Sequence, residues 1–325
     1  MSEIIASRPA SLKSLQEALP EWGDFEAFYA KTLRTEVYRG HWLLEKLANF
    51  LLRRGGKKIR PLLLLYTAKA CGEINHKTFL AATLIELLHN ATLVHDDVVD
   101  DSDYRRGFFS LRGLWGNRIA VLFGDWLLAR GLLIALRNHQ PQLLYYTSEA
   151  VEALAEGELL QLKRMREASI APESYFAVIE KKTAALFQAA CAMGAWTAEA
   201  SSDTILLAAE MGRKIGIAFQ IRDDLLDWSE SALTGKPTDV DRRQKRFTLP
   251  LLWMLSQVSR NERRYLLQAP FPEVRARLKA AGAFAYAEQV LTQYVEEAVQ
   301  VAQSLPLSQT LPLEHLLYLL TYRSH

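Results

Sequence analysis

The chain has 325 residues, 50% of them hydrophobic, and its 39 basic and 37 acidic side chains leave a formal charge of +2. So even a balance excludes the strongly basic footprint of a nucleic-acid-binding domain. Two cysteines, Cys71 and Cys191, are too few for a disulfide scaffold and point to a reducing cytoplasm.

The N-terminal "MSEIIASRPASLKSLQEALPEW" lacks the basic, then apolar, then cleavable order of a signal peptide. Proline is absent from Leu62 to Gln140 and from Glu173 to Lys236, and both stretches are rich in Ala, Leu, Glu and Lys, which favours helix. Hairpin signals such as Asn-Gly between alternating runs are missing. Breaks fall at "CGEINH", "DSDYRRGFFSLRG", "NHQPQ", "ASIAPES" and the polar segment Ser229 to Phe247. Between them the helices are long for a globular protein. Thr78 to Val94 and Ile205 to Leu226 are apolar on most faces, which predicts burial inside a bundle. The most membrane-like run, Ile119 to Leu136, is interrupted by Asp125 and Arg130, so no stable membrane insertion is expected. These features predict a single all-α domain over residues 1–325.

Two aspartate clusters stand out. "HDDVVD" carries Asp96, Asp97 and Asp100, and "FQIRDDLLDW" carries Asp223, Asp224 and Asp227. In each, the first and third aspartates are four apart and stack on one helix face, where like charges repel. The repetition calls for cations, and all-oxygen carboxylate sites suit hard ions such as magnesium. A calcium loop is excluded, because the sixth position is Asp101 and not glycine. Basic residues recur nearby in sequence: Lys57, Lys58 and Arg60; Arg105 and Arg106; Lys181 and Lys182 before Thr183; and Lys236. Carboxylates, metal and forked cationic donors together describe a polyphosphate site. His89, two turns before Asp96, shares roughly its face, whereas His95 points elsewhere and reads as structural.

The ordered segments "GGKKIRP", "HDDVVDDSDYRRG", "LWGN", "GDWLLARG", "EKKTA", "FQIRDDLLD", "GKP" and "TLP", from about Gly55 to Pro250, resemble the all-trans polyprenyl diphosphate synthases, head-to-tail isoprenyl transferases with two DDxxD motifs. The resemblance implies a large bundle of long antiparallel helices around a central cavity, and a homodimer. It implies three magnesium ions holding the diphosphate of an allylic substrate, farnesyl or geranylgeranyl diphosphate. Their ligands would be Asp96, Asp100 and Asp223, with Asp97, Asp224 and Asp227 acting directly or through water. Arg105, Lys182 and Lys236 would stabilise the departing diphosphate. Isopentenyl diphosphate would sit on Lys57, Arg60, His89 and Arg106. Thr183 and Gln220 would turn oxygen dipoles toward the allylic cation. The departing diphosphate would remove the proton, so no protein base is required.

The resemblance implies that product length follows from the residue five before the first motif, which is Ala91, followed by Thr92, where short-chain synthases carry an aromatic. An open floor there implies a medium- to long-chain product, stopped by Leu87 or Leu88, or by Phe123 or Leu127 of a neighbouring helix. A geranylgeranyl or farnesyl synthase is the alternative. Asp239, Arg246 and Arg112 depart from the family's usual residues near the phosphate loops. More distant readings are a phosphohydrolase using His95 and Asp96, a terpene cyclase, and a non-catalytic helical subunit.

Overall fold

A computed structural model describes residues 11–37, 41–53, 56–105, 108–229, 247–306 and 311–321. Five helices lead to the first aspartate motif: α1 (Leu12–Ala18), α2 (Trp22–Val37), α3 (Trp42–Arg53), α4 (Ile59–Cys71) and α5 (His76–Val99). A two-residue ladder follows, β1 (Tyr104–Arg105) pairing antiparallel with β2 (Phe108–Phe109). Then come α6 (Leu111–Arg137), α7 (Pro141–Glu167) and α8 (Pro172–Ile179), which runs into a π-helical turn at Glu180–Ala184. Helices α9 (Ala185–Thr197) and α10 (Ser202–Leu226) lead to the second motif. The rest is α11 (Leu249–Gln257), α12 (Arg260–Gln268), α13 (Phe271–Ala281), α14 (Ala283–Gln303) and α15 (Leu311–Thr321). The all-α expectation holds: among the described residues the β1–β2 ladder is the only strand pairing.

The residues cluster into two compact units. The first comprises Met1–Val151, Ala189–Ala209 and Leu305–Leu316; the second comprises Glu152–Gln188, Glu210–Ser304 and Leu317–His325. In the first, α5 packs against α4 and α6 and is buried along most of its length. The run Leu62 to Leu65 of α4 is wholly enclosed, each side chain contributing about 1.5–3 kcal/mol of apolar burial. In the second, α11 packs against α8, α13 and α14. Trp228 stacks on Phe271 with ring centroids 4.8 Å apart, and its indole N–H donates to Thr248 at 2.8 Å.

Helix starts follow the sequence. Asn75 caps α5, accepting from the Lys77 and Thr78 amides, while Thr78 accepts back from the Asn75 amide; this capping box fixes the predicted break at "CGEINH". Ser110 caps α6 by accepting from the Gly113 amide at 3.0 Å. Pro141 and Pro172 occupy first-turn positions, where the missing N–H costs nothing. Helix ends are less conventional. Four helices close with a residue in the left-handed region that is not glycine: Asp101, His139, Ala168 and Glu199. In each case the next amide reaches back five residues, as from Ser102 to the Asp97 carbonyl (2.9 Å) and from Ala200 to the Ala195 carbonyl (3.2 Å), the bond of a Schellman cap. The break at 198–201 is therefore invisible to a search for glycine or proline.

Helix α6 is long and apolar enough to cross a membrane by length and composition, and 33% of its most apolar stretch is buried. The charges that interrupt it are used locally: Asp125 pairs with His95 at 3.2 Å, and Arg130 and Arg137 both reach Glu36. Burial of α10 is narrower than the sequence predicts. Met211, Ile215, Ala218 and Ile221 are enclosed, but Leu206 and Leu207 are exposed.

Helices α4 and α9 approach closely at Gly194, where a Cβ would lie 2.5 Å from the Leu64 carbonyl oxygen. Gly194→Val must separate the two helices, and the expected loss is about 1–3 kcal/mol. Thermal unfolding followed by circular dichroism checks this; an unchanged melting temperature would contradict the packing.

Candidate active site

Helix α5 ends in the first motif. Asp96 and Asp97 lie in its last turn and Asp100 caps it, the Asp100 amide donating to the Asp96 carbonyl at 2.8 Å. That end of a helix carries partial negative charge, and no basic residue of α5 lies in its last turn to offset it. Asp96 and Asp100 are half-buried, whereas Asp97 is buried. Two further aspartates of the same stretch are answered from within the chain. Arg112 donates to Asp101 and to Asp103, both at 2.9 Å, and to Asn117 at 2.7 Å. The arginine that departs from the family's usual residue thus clamps the loop just after the motif.

In the same unit the structure brings Arg60 and His89 together, 3.1 Å between Nη1 and Nε2. A guanidinium only donates, so Nε2 of His89 is the acceptor and its ring proton sits on Nδ1. Lys57 is exposed, and its carbonyl accepts from the Gln16 amide at 3.1 Å, which fixes the loop before α4. Its neighbour Lys58 is used structurally, pairing with Glu26 at 2.8 Å over the Tyr29 ring. His95 donates from Nε2 to the Val121 carbonyl at 3.3 Å and pairs with Asp125, in keeping with a structural role. Ala91, Leu87 and Leu88 are buried on α5, as are Phe123 and Leu127 on α6. Thr92 is half-buried and turns its hydroxyl to the His89 carbonyl at 2.9 Å.

The second motif repeats the first. It ends α10, again with no basic residue in the last turn, and the Asp227 amide donates to the Asp223 carbonyl at 3.0 Å. Asp223 is exposed, Asp227 half-buried and Asp224 buried. In both motifs, then, the outer aspartates reach solvent and the middle one does not. The 3.6-residue period places the middle residue about 100° around the helix from the first.

The π-turn carries Lys181, Lys182 and Thr183. Such turns insert one extra residue into a helix and recur at functional sites. It lies against α7 at Gly157, where a Cβ would come 2.7 Å from the Lys182 amide nitrogen. Lys182 pairs with Glu158 of α7 at 2.5 Å and Lys181 pairs with Glu156. Thr183 donates to the Gln220 carbonyl oxygen at 2.8 Å, and the Gln220 amide nitrogen donates to Asp224 at 3.1 Å. Asp224 also accepts from the Tyr175 hydroxyl and from the Leu249 amide, each at 2.8 Å. Burial pushes Asp224 up to about 7, against the three hydrogen bonds that pull it down. Tyr175 is raised well above its usual value by its own burial and by the Asp224 charge. Arg164 lies over the Tyr175 ring and donates to the Phe247 carbonyl at 3.2 Å. The sequence did not signal Tyr175 or Arg164.

The Arg105 side chain and the residues Arg106, Lys236, Asp239 and Arg246 lie outside the described residues. Among the described residues no group of three or more His, Cys, Asp or Glu side chains is arranged to hold a metal ion by itself. The donor set nevertheless suits magnesium, which keeps several waters and shares its shell with substrate phosphates.

The sequence pattern of the polyprenyl synthetase family matches residues 41–281. The octaprenyl diphosphate synthase of Escherichia coli is 34% identical over 277 residues, covering 81% of this chain and 84% of its own. The crystal structure of a decaprenyl diphosphate synthase from Rhodobacter capsulatus superposes with a TM-score of 0.86 at 30% identity, covering 96% of this chain and 98% of that one. A polyprenyl synthase from Caulobacter crescentus, solved with calcium and isoprenyl diphosphate, matches with a TM-score of 0.86, 28% identity and the same coverage. The chain belongs to the polyprenyl synthetase family and is a prenyltransferase. The phosphohydrolase, cyclase and non-enzyme readings are set aside.

Asp96→Ala and Asp100→Ala are each expected to abolish prenyl transfer without lowering the melting temperature. Both remove a charge that opposes the dipole of α5 and repels its partner one turn away, effects of about 0.3–1 kcal/mol each. Full activity in either variant would remove these residues from the site.

Proposed function

We propose that the protein is a magnesium-dependent trans-polyprenyl diphosphate synthase. It condenses isopentenyl diphosphate head-to-tail onto farnesyl or geranylgeranyl diphosphate and releases a medium- to long-chain all-trans product. The observation that carries this reading is the repeated one: two helices each end in an Asp-Asp-x-x-Asp segment whose outer carboxylates are accessible. The relatives named above, which make or bind isoprenyl diphosphates, support the substrate class.

Asp96, Asp100, Asp223 and Asp227 would hold the divalent cations. Held there, they would supply the positive charge that a diphosphate leaving group needs. Lys182, now paired with Glu158, would turn to the same diphosphate. Arg60 and His89, already in contact, would receive isopentenyl diphosphate with Lys57 and Arg106. Thr183 and Gln220 present oxygen atoms suited to the allylic cation. The double bond of isopentenyl diphosphate forms the new C–C bond, and the proton lost from it leaves with the released diphosphate. Family chemistry of this kind is metal-dependent.

One family pattern running through residues of both units supports a single domain. Cys71 and Cys191 are free, buried thiols, in keeping with a cytoplasmic location. A second copy would cover the exposed apolar stripe Leu114, Val121, Leu122, Leu132, Leu133 and Leu136 of α6, giving the homodimer.

Product length tests the reading. With farnesyl diphosphate, isopentenyl diphosphate and magnesium, mass spectrometry should show products extending well beyond geranylgeranyl diphosphate, and none with chelator. Ala91→Phe should shorten them, because a ring would then stand where the family resemblance places the tunnel floor. One turn is about 5.4 Å, close to one isoprene unit. An unchanged ladder in Ala91→Phe would place the floor elsewhere; a wild-type stop at geranylgeranyl would select the short-chain alternative.

A further inference from the structure

We infer that Asp224, the middle aspartate of the second motif, is a positioning residue that sets the direction of the Gln220 amide, and not a metal ligand. The inference rests on the prenyl-transfer reading above. Asp224 is 4% exposed, and every group aimed at its carboxylate is a donor: the Gln220 amide nitrogen, the Tyr175 hydroxyl and the Leu249 backbone amide. A carboxylate so surrounded accepts from all three. As the ionised carboxylate it admits one orientation of the Gln220 side chain, with Nε2 toward Asp224 and Oε1 toward Thr183.

That orientation has a chemical consequence. The Thr183 hydroxyl spends its proton on Oε1 at 2.8 Å, which leaves lone pairs on both oxygens to face developing positive charge. If the amide turned over, Nε2 would point to Thr183 and a positive dipole end would meet the cation. Dipoles fixed in advance toward developing charge are among the larger contributions to catalysis. The tie to Leu249 and Tyr175 holds the carboxylate itself, so the chain of bonds runs from the start of α11 through Asp224 and Gln220 to the π-turn.

Asp224→Asn keeps the shape and reverses the logic. Its one acceptor oxygen must serve Leu249 and Tyr175, so its amide nitrogen faces Gln220 and forces that side chain to turn over. The double variant Asp224→Asn with Gln220→Glu restores the order. The carboxylate introduced at position 220 accepts from the new amide through one oxygen and from Thr183 through the other. This exchange also keeps the total charge, so it remains a fair test should the single variant fold poorly.

The experiment compares wild type, Asp224→Asn, Gln220→Leu, the combination of those two, and the exchange of Asp224→Asn with Gln220→Glu. Readouts are kcat and KM for farnesyl and isopentenyl diphosphates, and Mn2+ affinity by electron paramagnetic resonance with a non-ionising thiolo analogue of farnesyl diphosphate. Asp224→Asn is expected to lower kcat about tenfold or more, with KM and Mn2+ affinity unchanged. In the Gln220→Leu background the same change should have little further effect, as coupled residues require. The exchange variant should recover activity relative to Asp224→Asn. Weakened Mn2+ binding in Asp224→Asn would make Asp224 a ligand and overturn the inference. Additive losses, or no gain in the exchange variant, would show that Asp224 does not act through Gln220. A wild type that transfers no prenyl group, in contrast, would overturn the underlying functional reading.

Discussion

Two helices of this protein end against their own dipoles. Helices α5 and α10 each place three carboxylates in or just past the last turn, where the backbone carbonyls already concentrate negative charge. Neither helix brings a basic residue of its own to that turn. Like charges so placed repel one another; on the proposed function, divalent cations and a diphosphate would answer them. Arg112 answers Asp101 and Asp103, which are not the residues that recur between the motifs.

Within each unit the surrounding fold fixes its own helix end. In the first unit α5 is enclosed between α4 and α6, and close packing at Gly194 fixes α9 on α4. In the second unit Gly157 lets α7 lie against the π-turn, so that Lys182 and Thr183 leave the helix at a defined angle. Bonds from Thr183 through Gln220 and Asp224 to Leu249 then tie the π-turn to α10 and to the start of α11. On the inference drawn above, Asp224 would thereby set the direction of the Gln220 amide.

Much of this was legible in the sequence. The Asp-x-x-x-Asp spacing is a one-face signal whatever the tertiary context, and Asn75, Ser110, Pro141 and Pro172 mark helix starts through local chemistry alone. What was not legible depends on distant partners or on backbone forms without a residue signature. Nothing in "EKKTA" announces a π-turn, and Glu199 ends α9 in a conformation usually left to glycine. The burial of Asp224 depends on Tyr175, 49 residues away, and on the Leu249 amide, 25 away. The resemblance implies for it only what it implies for Asp227, a metal contact made directly or through water. Likewise, Arg112 looked like a departure near a phosphate loop until its two aspartate partners came into view.

The central claim is that the outer aspartates of both motifs hold divalent cations together with a diphosphate. Counting Mn2+ bound at equilibrium, with and without the thiolo analogue of farnesyl diphosphate, tests it most directly. The expected result is weak binding to the protein alone, several ions bound when the analogue is present, and loss of that gain in both Asp96→Ala and Asp223→Ala. Ion binding that ignores the analogue, or that survives both substitutions, would contradict it.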